Sequence, residues 1–425
     1  MKIRVDYGTE GLDVDVPDHA AVLQMPPTAG LDAVSDRLEQ ALKQPLGTPP
    51  LAELARGRGS ACIVISDITR PVPNQVILPP LLAGLEAAGV PRQGIVILVA
   101  TGLHRPNEGQ ELIQLVGARI AAEYRIVNHR ARERDTLVNL GQTAAGAPIW
   151  VNREFVAAEL RIATSLIEPH LMAGYSGGRK AICPGISGVD TMRVLHGPEL
   201  MGHPLSAEGI IAGNPFHLAA LEVARRARVD LTLNVSMNAQ RQITGIFCGE
   251  LEQAHAAGVD FVAAHCAASL PRAADIVITS SAGFPLDLTF YQAVKGLTAA
   301  LPIVREGGTI IIAARCAEGI GSPDFRDLLL STADVASFER RLSDPDFFVV
   351  DQWQVQELCK VLRRARVVLV SQGIEPRYHG RLLVEHADSV QQALSQAQER
   401  YGQQASVAVV PKGPYVLTRL ASEAA

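Results

Sequence analysis

The sequence predicts an α/β protein of two domains built on mainly parallel sheets. Three observations carry this. Apolar runs of strand length, rich in Val and Ile, alternate with helical stretches, the signature of a parallel sheet buried on both faces. The alternation restarts after Pro271. At 425 residues and 48% hydrophobic composition the chain also exceeds what one core usually supports.

Taken in order, ACIVIS (61–66) is a strand, followed by a helix over PPLLAGLEAAGV (79–90) and a second strand, GIVILVA (94–100). A helix over 108–122 follows, and later the apolar run RIATSLI (161–167). Beyond Pro271 come ADIVITSS (274–281), a helix near 288–304, GGTIIIAA (307–314) and a helix near 351–364. ARVVLVS (365–371), a helix near 387–400 and ASVAVVP (405–411) complete the series. The boundary is placed near residue 270, giving domains 1–270 and 271–425. No short-period repeat and no long low-complexity segment is present.

Composition excludes several classes. The net charge of −5 and the lack of a Lys/Arg-rich tract argue against a nucleic-acid partner. The N-terminal MKIRVDYGTEGLDVDVP carries charges where a signal peptide needs a continuous apolar core. The longest apolar stretches are too short to span a bilayer. A cytosolic protein without a membrane partner is therefore expected. Six scattered cysteines without a CxxC pair argue against a zinc knuckle or a disulfide framework, and read as small core residues.

Ligands of open α/β sheets sit beyond the carboxyl ends of the strands, so the residues following each apolar run are the informative ones. These are SDITRP (66–71), TGLHRP (101–106), EPHLMAGYSGGRKAICPG (168–185) and, past 281, Gly283-Phe284-Pro285 followed by YQAVKG (291–296). Each has a structural reading alone. Asp67 could cap a turn and pair with Arg70, His104 could be a hydrogen-bonded loop residue, and the glycines could serve a tight strand-to-helix turn. His196, in MRVLHGP, could sit at a helix C-terminus and interact with its dipole. Together these readings weaken. Glycines that let amides converge beside Arg179 and Lys180 suit an anion nest for a phosphate. There is no GxxxxGK[ST] and no GxGxxG, so a mononucleotide or another phosphate-bearing cofactor fits better than ATP or NAD. No HExxH or compact His/Cys/carboxylate cluster is encoded, so a metal would need most of its ligands from elsewhere.

In order and spacing, SDxTRP, TGxHRP, PHxxAGYSGGRKxxxPGxSG, the downstream histidine and YQxxKG resemble the nickel-dependent lactate racemase family of 2-hydroxyacid racemases and epimerases. The resemblance runs from about residue 60 to about 360. It implies two α/β domains with the active site in the interdomain cleft. It also implies a nickel-pincer nucleotide, a pyridinium mononucleotide whose sulfur-carbon-sulfur clamp supplies three ligands to Ni. Carried over by position, His196 matches the nickel-ligating histidine and Lys180 the lysine that contacts the cofactor, covalently in some members. Asp67, Thr69, Gly177, Gly178 and Arg179 fall in the cofactor-binding region. His104 and His170 match the two acid/base histidines. Arg70, Tyr291, Gln292, Lys295 and Trp353 match the substrate-binding set.

The chemistry agrees. Removing the α-hydrogen of a 2-hydroxy acid as a proton would place a carbanion beside a carboxylate, beyond what a His or Lys base readily drives. Hydride transfer avoids that anion, because the planar 2-keto acid accepts hydride on either face. Arg70 can grip the substrate carboxylate bidentately, with Lys295 as a point charge beside it. The expected activity is inversion at C2 of lactate or a related small hydroxy acid. Two other readings stand beside it: a metal-free two-base isomerase, and a non-catalytic carrier of the nucleotide.

Overall fold

The computed structural model describes residues 1–344 and 346–421. The chain divides into two compact units, Pro27–Ala264 and a second made of Met1–Pro26 together with His265–Ala425.

The Pro27–Ala264 unit is built on a six-stranded sheet in the spatial order 243–249, 231–237, 160–166, 61–66, 95–100, 125–128. All neighbours are parallel except the edge strand Ile243–Gly249, which runs antiparallel to Leu231–Met237. The strands read as unbroken Ile and Val because both faces are covered. Ile63, Ile65, Ile97 and Val99 pack with Leu78, Leu81 and Leu85 of the helix Asn74–Ala87. That helix begins five residues before the predicted start and carries Pro79 and Pro80 inside it, so the paired prolines do not mark its N-terminus. The helix expected over 108–122 is two, Gln110–Val116 and Ala118–Glu123. They are split at Gly117, whose positive φ of 87° breaks the helical ladder.

The second unit has its own six-stranded sheet, all parallel, in the order 385–387, 365–370, 304–313, 274–280, 407–410, 21–22. One face packs on the helices Phe290–Ala300, Pro323–Leu330 and Gln352–Arg364 through Val294, Leu297, Phe325, Val355 and Leu358. The other packs on Val390–Tyr401 and the hairpin strands Lys2–Val5 and Leu12–Asp15. Placing residues 1–26 with the first domain is corrected here. Ala21–Val22 forms the edge strand beside Val407–Val410, the Asp6 amide donates to Pro411 O at 3.1 Å, and Lys412 Nζ lies 2.5 Å from Asp6 Oδ2. The apolar alternation of this segment fits any sheet edge, so its sequence does not name its partner. Among the described residues no helix is long and apolar enough to cross a membrane.

Within this unit Phe290–Ala300 approaches the strand Ala274–Ser280 closely at Gly296, where a Cβ would fall 2.3 Å from Ser280 O. Gly→Ala in an open helix stabilises by about 1 kcal/mol. Here the obstructing atom is backbone and cannot rotate away, so the sign reverses: Gly296→Ala should destabilise by about 1–3 kcal/mol. Urea unfolding of the cofactor-free protein measures this, and a raised midpoint would refute the account.

Candidate active site

In the sheet of the Pro27–Ala264 unit, the strand Ala61–Ser66 connects onward to Ile95–Ala100 on one side, while Leu160–Leu166 lies on its other side. This reversal of strand order is where an open sheet leaves a crevice at its carboxyl edge. Asp67 follows the first of these strands and Glu168, Pro169 and His170 follow the last, so the motifs flank the crevice.

Asp67 is 4% exposed, and its carboxylate is the hub. Oδ2 lies 2.7 Å from His104 Nδ1, and Oδ1 accepts from Thr69 Oγ1 at 2.7 Å. Burial pushes this carboxyl up, but the His104 imidazole, the Arg70 guanidinium and the Thr69 hydroxyl together hold it below the ordinary range. Arg70 donates from Nη1 to Thr69 Oγ1 at 3.2 Å, and its Nε lies 3.9 Å from Glu168 Oε1. The turn that carries His104 is fixed from the other side, where the Gly102 amide donates to Gly185 O at 3.0 Å.

His170 is buried at the end of Pro169–His170, which pairs antiparallel with Gly174–Tyr175. Its Nδ1 accepts from the amides of Met172 and Ala173, each at 3.3 Å. Gly174 closes this hairpin with φ of 74°, and a Cβ there would meet Ile210 O at 2.1 Å, so only glycine fits.

Two expectations for the glycine-rich loop change. Gly178 does not leave its amide for an anion, because that N–H donates to Asn234 Oδ1 at 2.9 Å. Arg179 is 1% exposed and turns inward. Its Nη2 donates to Ala173 O at 2.7 Å and Tyr175 O at 2.8 Å, while Nη1 reaches Gly177 O at 3.2 Å and His255 Nε2 at 2.7 Å. The guanidinium therefore staples the loop that presents His170 and Lys180. Gly177, at φ of 83°, packs against Ile167.

Lys180 and His196 meet at one ring. Lys180 Nζ lies 5.5 Å from the centroid of Phe216, and the His196 ring packs edge-on to the same face partner at 5.0 Å. Burial, then the charges of Arg179 and Arg70, pull the Lys180 ammonium well below its ordinary value. Burial and the Lys180 charge hold His196 down to about 3, so it is neutral. His196 Nδ1 lies 3.1 Å from Met192 O. A carbonyl can only accept, so Nδ1 carries the proton and Nε2 the lone pair, the form in which imidazole binds a metal.

The other predicted residues lie in the second unit. Tyr291, Gln292 and Lys295 share the helix Phe290–Ala300. Trp353 Nε1 donates to the Tyr291 hydroxyl at 3.1 Å, and Gln354 Nε2 to Tyr291 O at 2.8 Å. Gln292 is 5% exposed, and its Oε1 has no hydrogen-bond partner among the described residues, an acceptor suited to a ligand hydroxyl. Sequence reasoning missed Phe216, Asn234 and His255. They sit far along the chain in ordinary helix and strand patterns, with no local signal of their role.

Residues 7–209 match the family model of the lactate racemase N-terminal domain, and residues 270–418 that of the lactate racemase C-terminal domain. The chain belongs to the lactate racemase family. It is an isomerase of that family, 36% identical over 387 residues to the lactate racemase of Lactiplantibacillus plantarum, covering 90% of this chain and 91% of that protein. It is 33% identical over 423 residues to the lactate racemase of Thermoanaerobacterium thermosaccharolyticum, covering 98% and 99%. The structure of that enzyme's apoprotein superposes with a TM-score of 0.91 over 99% of this chain and 100% of that one. A Thermotoga maritima protein of solved structure shares the fold at 17% identity, with a TM-score of 0.70 over 91% and 97% of the two chains. The matched N-terminal region contains Asp67, His104, His170, Lys180 and His196, and the C-terminal one Tyr291, Gln292, Lys295 and Trp353.

This unit of the racemase-family chain also holds histidines that folding keeps neutral. Burial pulls His129 down to about 4, and burial with the Arg179 charge pulls His255 down to about 3. An unfolded histidine binds its proton near pH 6.5, so below that the unfolded chain takes up protons the folded one refuses. The stabilisation is complete above about pH 6.5 and declines as pH falls towards 4, by about 1.4 kcal/mol per pH unit for each residue. Unfolding midpoints of the cofactor-free protein between pH 7.5 and 4.5 measure this, and a midpoint constant over that range would contradict it.

Proposed function

We propose that this protein inverts the C2 centre of a small 2-hydroxy acid, lactate in the first instance, by hydride transfer to and from a nickel-pincer nucleotide. The substrate follows the curated relatives, both named lactate racemase. The observation that carries the reading is that Asp67, Arg70, His104, Lys180 and His196 of one sheet unit are linked by the hydrogen bonds and charges described above, with His170 on the loop that follows the neighbouring strand.

The residues fit that cofactor. Among the described residues no group of three or more His, Cys, Asp or Glu could hold a metal ion, so His196 would be one ligand and the group that carries the nickel would bring the others. His196 is set in the ligating tautomer. Lys180, its charge opposed by burial and by two guanidinium groups, would be restored by an anionic group such as a phosphate or thiocarboxylate. When bound, the nucleotide would supply an electron-poor carbon able to accept and return hydride.

The chain does the rest. Arg70, already braced by Thr69 and Glu168, offers its guanidinium to the substrate carboxylate. Gln292 and Lys295, on the helix Phe290–Ala300 of the second unit, are an acceptor and a point charge of the kind a small polar ligand takes. His104 and His170 handle the oxygen at C2 as it passes between hydroxyl and carbonyl. The six cysteines, all buried and none in a disulfide, suit a reducing cytosol.

The test is to produce the protein together with the cofactor-synthesis enzymes, measure nickel and the bound chromophore, and follow optical rotation over a panel of enantiopure hydroxy acids. His196→Ala should lose nickel and Lys180→Ala chromophore retention. His104→Ala or His170→Ala should keep both and lose about 10²–10⁴-fold in kcat/KM. A loaded protein inert across the panel would leave only a carrier, and racemisation by the cofactor-free chain would favour direct proton transfer.

A further inference from the structure

We infer that Asn214 is a positioning residue for the reaction. One side-chain amide ties the turn that faces the His170 ring to the start of the helix that carries Phe216, and so holds His170 in one frame with Lys180 and His196. That the frame serves turnover rests on the racemase reading above, whereas the frame itself belongs to the folded chain.

Asn214 lies in AGNPF, where an asparagine before a proline reads as a helix cap and nothing more. It is a cap. Its Oδ1 accepts from the His217 amide at 3.0 Å and opens the helix Pro215–Ala227. The side chain is fully buried, though, and its other end does what no cap requires. Nδ2 donates to Met172 O at 3.0 Å and to Ile210 O at 2.9 Å, so both of its hydrogens are engaged.

Met172 is the residue that matters to the ring. Met172 O and the Ala173 N–H belong to one planar trans peptide unit, in which they point in opposite directions. Asn214 holds the oxygen of that unit, and its N–H is given to His170 Nδ1 at 3.3 Å. The unit is strung between the two side chains, so the grip of Asn214 sets the direction from which the N–H meets the ring. Neighbouring bonds stiffen the same turn: Arg179 Nη2 holds Ala173 O at 2.7 Å, and the Gly209 amide donates to Gly174 O at 3.0 Å. Asn214 joins this turn to the helix.

The cap fixes where that helix begins, and with it Phe216, two residues on and wholly buried. Its ring lies 5.5 Å from Lys180 Nζ and 5.0 Å from the His196 ring. One asparagine therefore sets the register between the imidazole expected at the substrate and the ring packed against the cofactor residues. Reacting groups tolerate little error in such a register, since a displacement of about 1 Å costs about 10²-fold in rate. Serine would keep the cap but has no N–H to give Met172 O, and aspartate would turn a second acceptor towards two carbonyls.

The first arm of the test uses the cofactor-free protein, labelled with ¹⁵N at histidine. In Asn214→Ser the ring-nitrogen signals of His170, identified by their loss in His170→Gln, should shift, while those of His104 and His129 stay in place. Asn214→Asp, which changes one side-chain atom, repeats the comparison if the serine variant does not fold. A lower urea midpoint with all three rings unmoved would make Asn214 a cap alone and overturn the inference.

The second arm uses the loaded enzyme. Because serine keeps the cap, Asn214→Ser should retain nickel and chromophore and leave KM close to that of the unmutated enzyme, while kcat falls about 10²-fold. An unchanged kcat per bound nickel, with or without loss of the chromophore, would overturn the positioning role. A loaded unmutated protein inert on every hydroxy acid would instead overturn the racemase reading, and the first arm alone then decides the frame.

Discussion

The candidate site depends on a reversal in strand order. Where neighbouring parallel strands connect onward to opposite sides, no crossover covers the gap between their carboxyl ends. In the Pro27–Ala264 unit that gap lies between Ala61–Ser66 and Leu160–Leu166, and the loops that leave those strands carry Asp67 and His170. The strands are long apolar runs whose positions are fixed by both faces of the sheet, so the first polar residues beyond them inherit that rigidity. The loops need only short reaches to place a carboxylate, two imidazoles and an ammonium.

The loop from Glu168 to Gly188 is where stability is traded for placement. A guanidinium removed from water costs several kcal/mol before any partner is counted, and each hydrogen bond to a charged group returns about 1.5–3 kcal/mol. Arg179 makes such bonds to three carbonyls of its own loop, and its Nη1 lies 2.7 Å from His255 Nε2. Its effect is to hold the backbone that presents His170 and Lys180. Glycines add to this by letting backbone pass backbone, as Gly174 passes Ile210.

The fold class was legible because strands covered on both faces are continuously apolar, and a short β-branched run such as Ile310, Ile311 and Ile312 behind two glycines favours such a strand over a buried helix. The strand-end residues were legible because the architecture dictates where polar side chains are useful. Roles inside the loops were not. Arg179 and Lys180 are adjacent and both basic, yet one turns into the protein and the other towards Phe216, a difference set by His255 and by the packing of residues distant in sequence. The partners of the His104 and His170 rings, a carboxylate at 2.7 Å and two amides at 3.3 Å, are likewise not encoded in spacing along the chain. Residues 1–26 escaped for a related reason: a two-residue edge strand carries too little pattern to choose its sheet.

That last pairing bears on the order in which the chain can fold as it leaves the ribosome. All six strands of the Pro27–Ala264 sheet are present once Gly249 has emerged. Ala21 and Val22 have to wait for Ala408 and Val409, which emerge long after that sheet is complete. A segment made before the whole Pro27–Ala264 sheet is thus among the last to find its place, and until then its edge is open to whatever else the nascent protein, or a chaperone, presents.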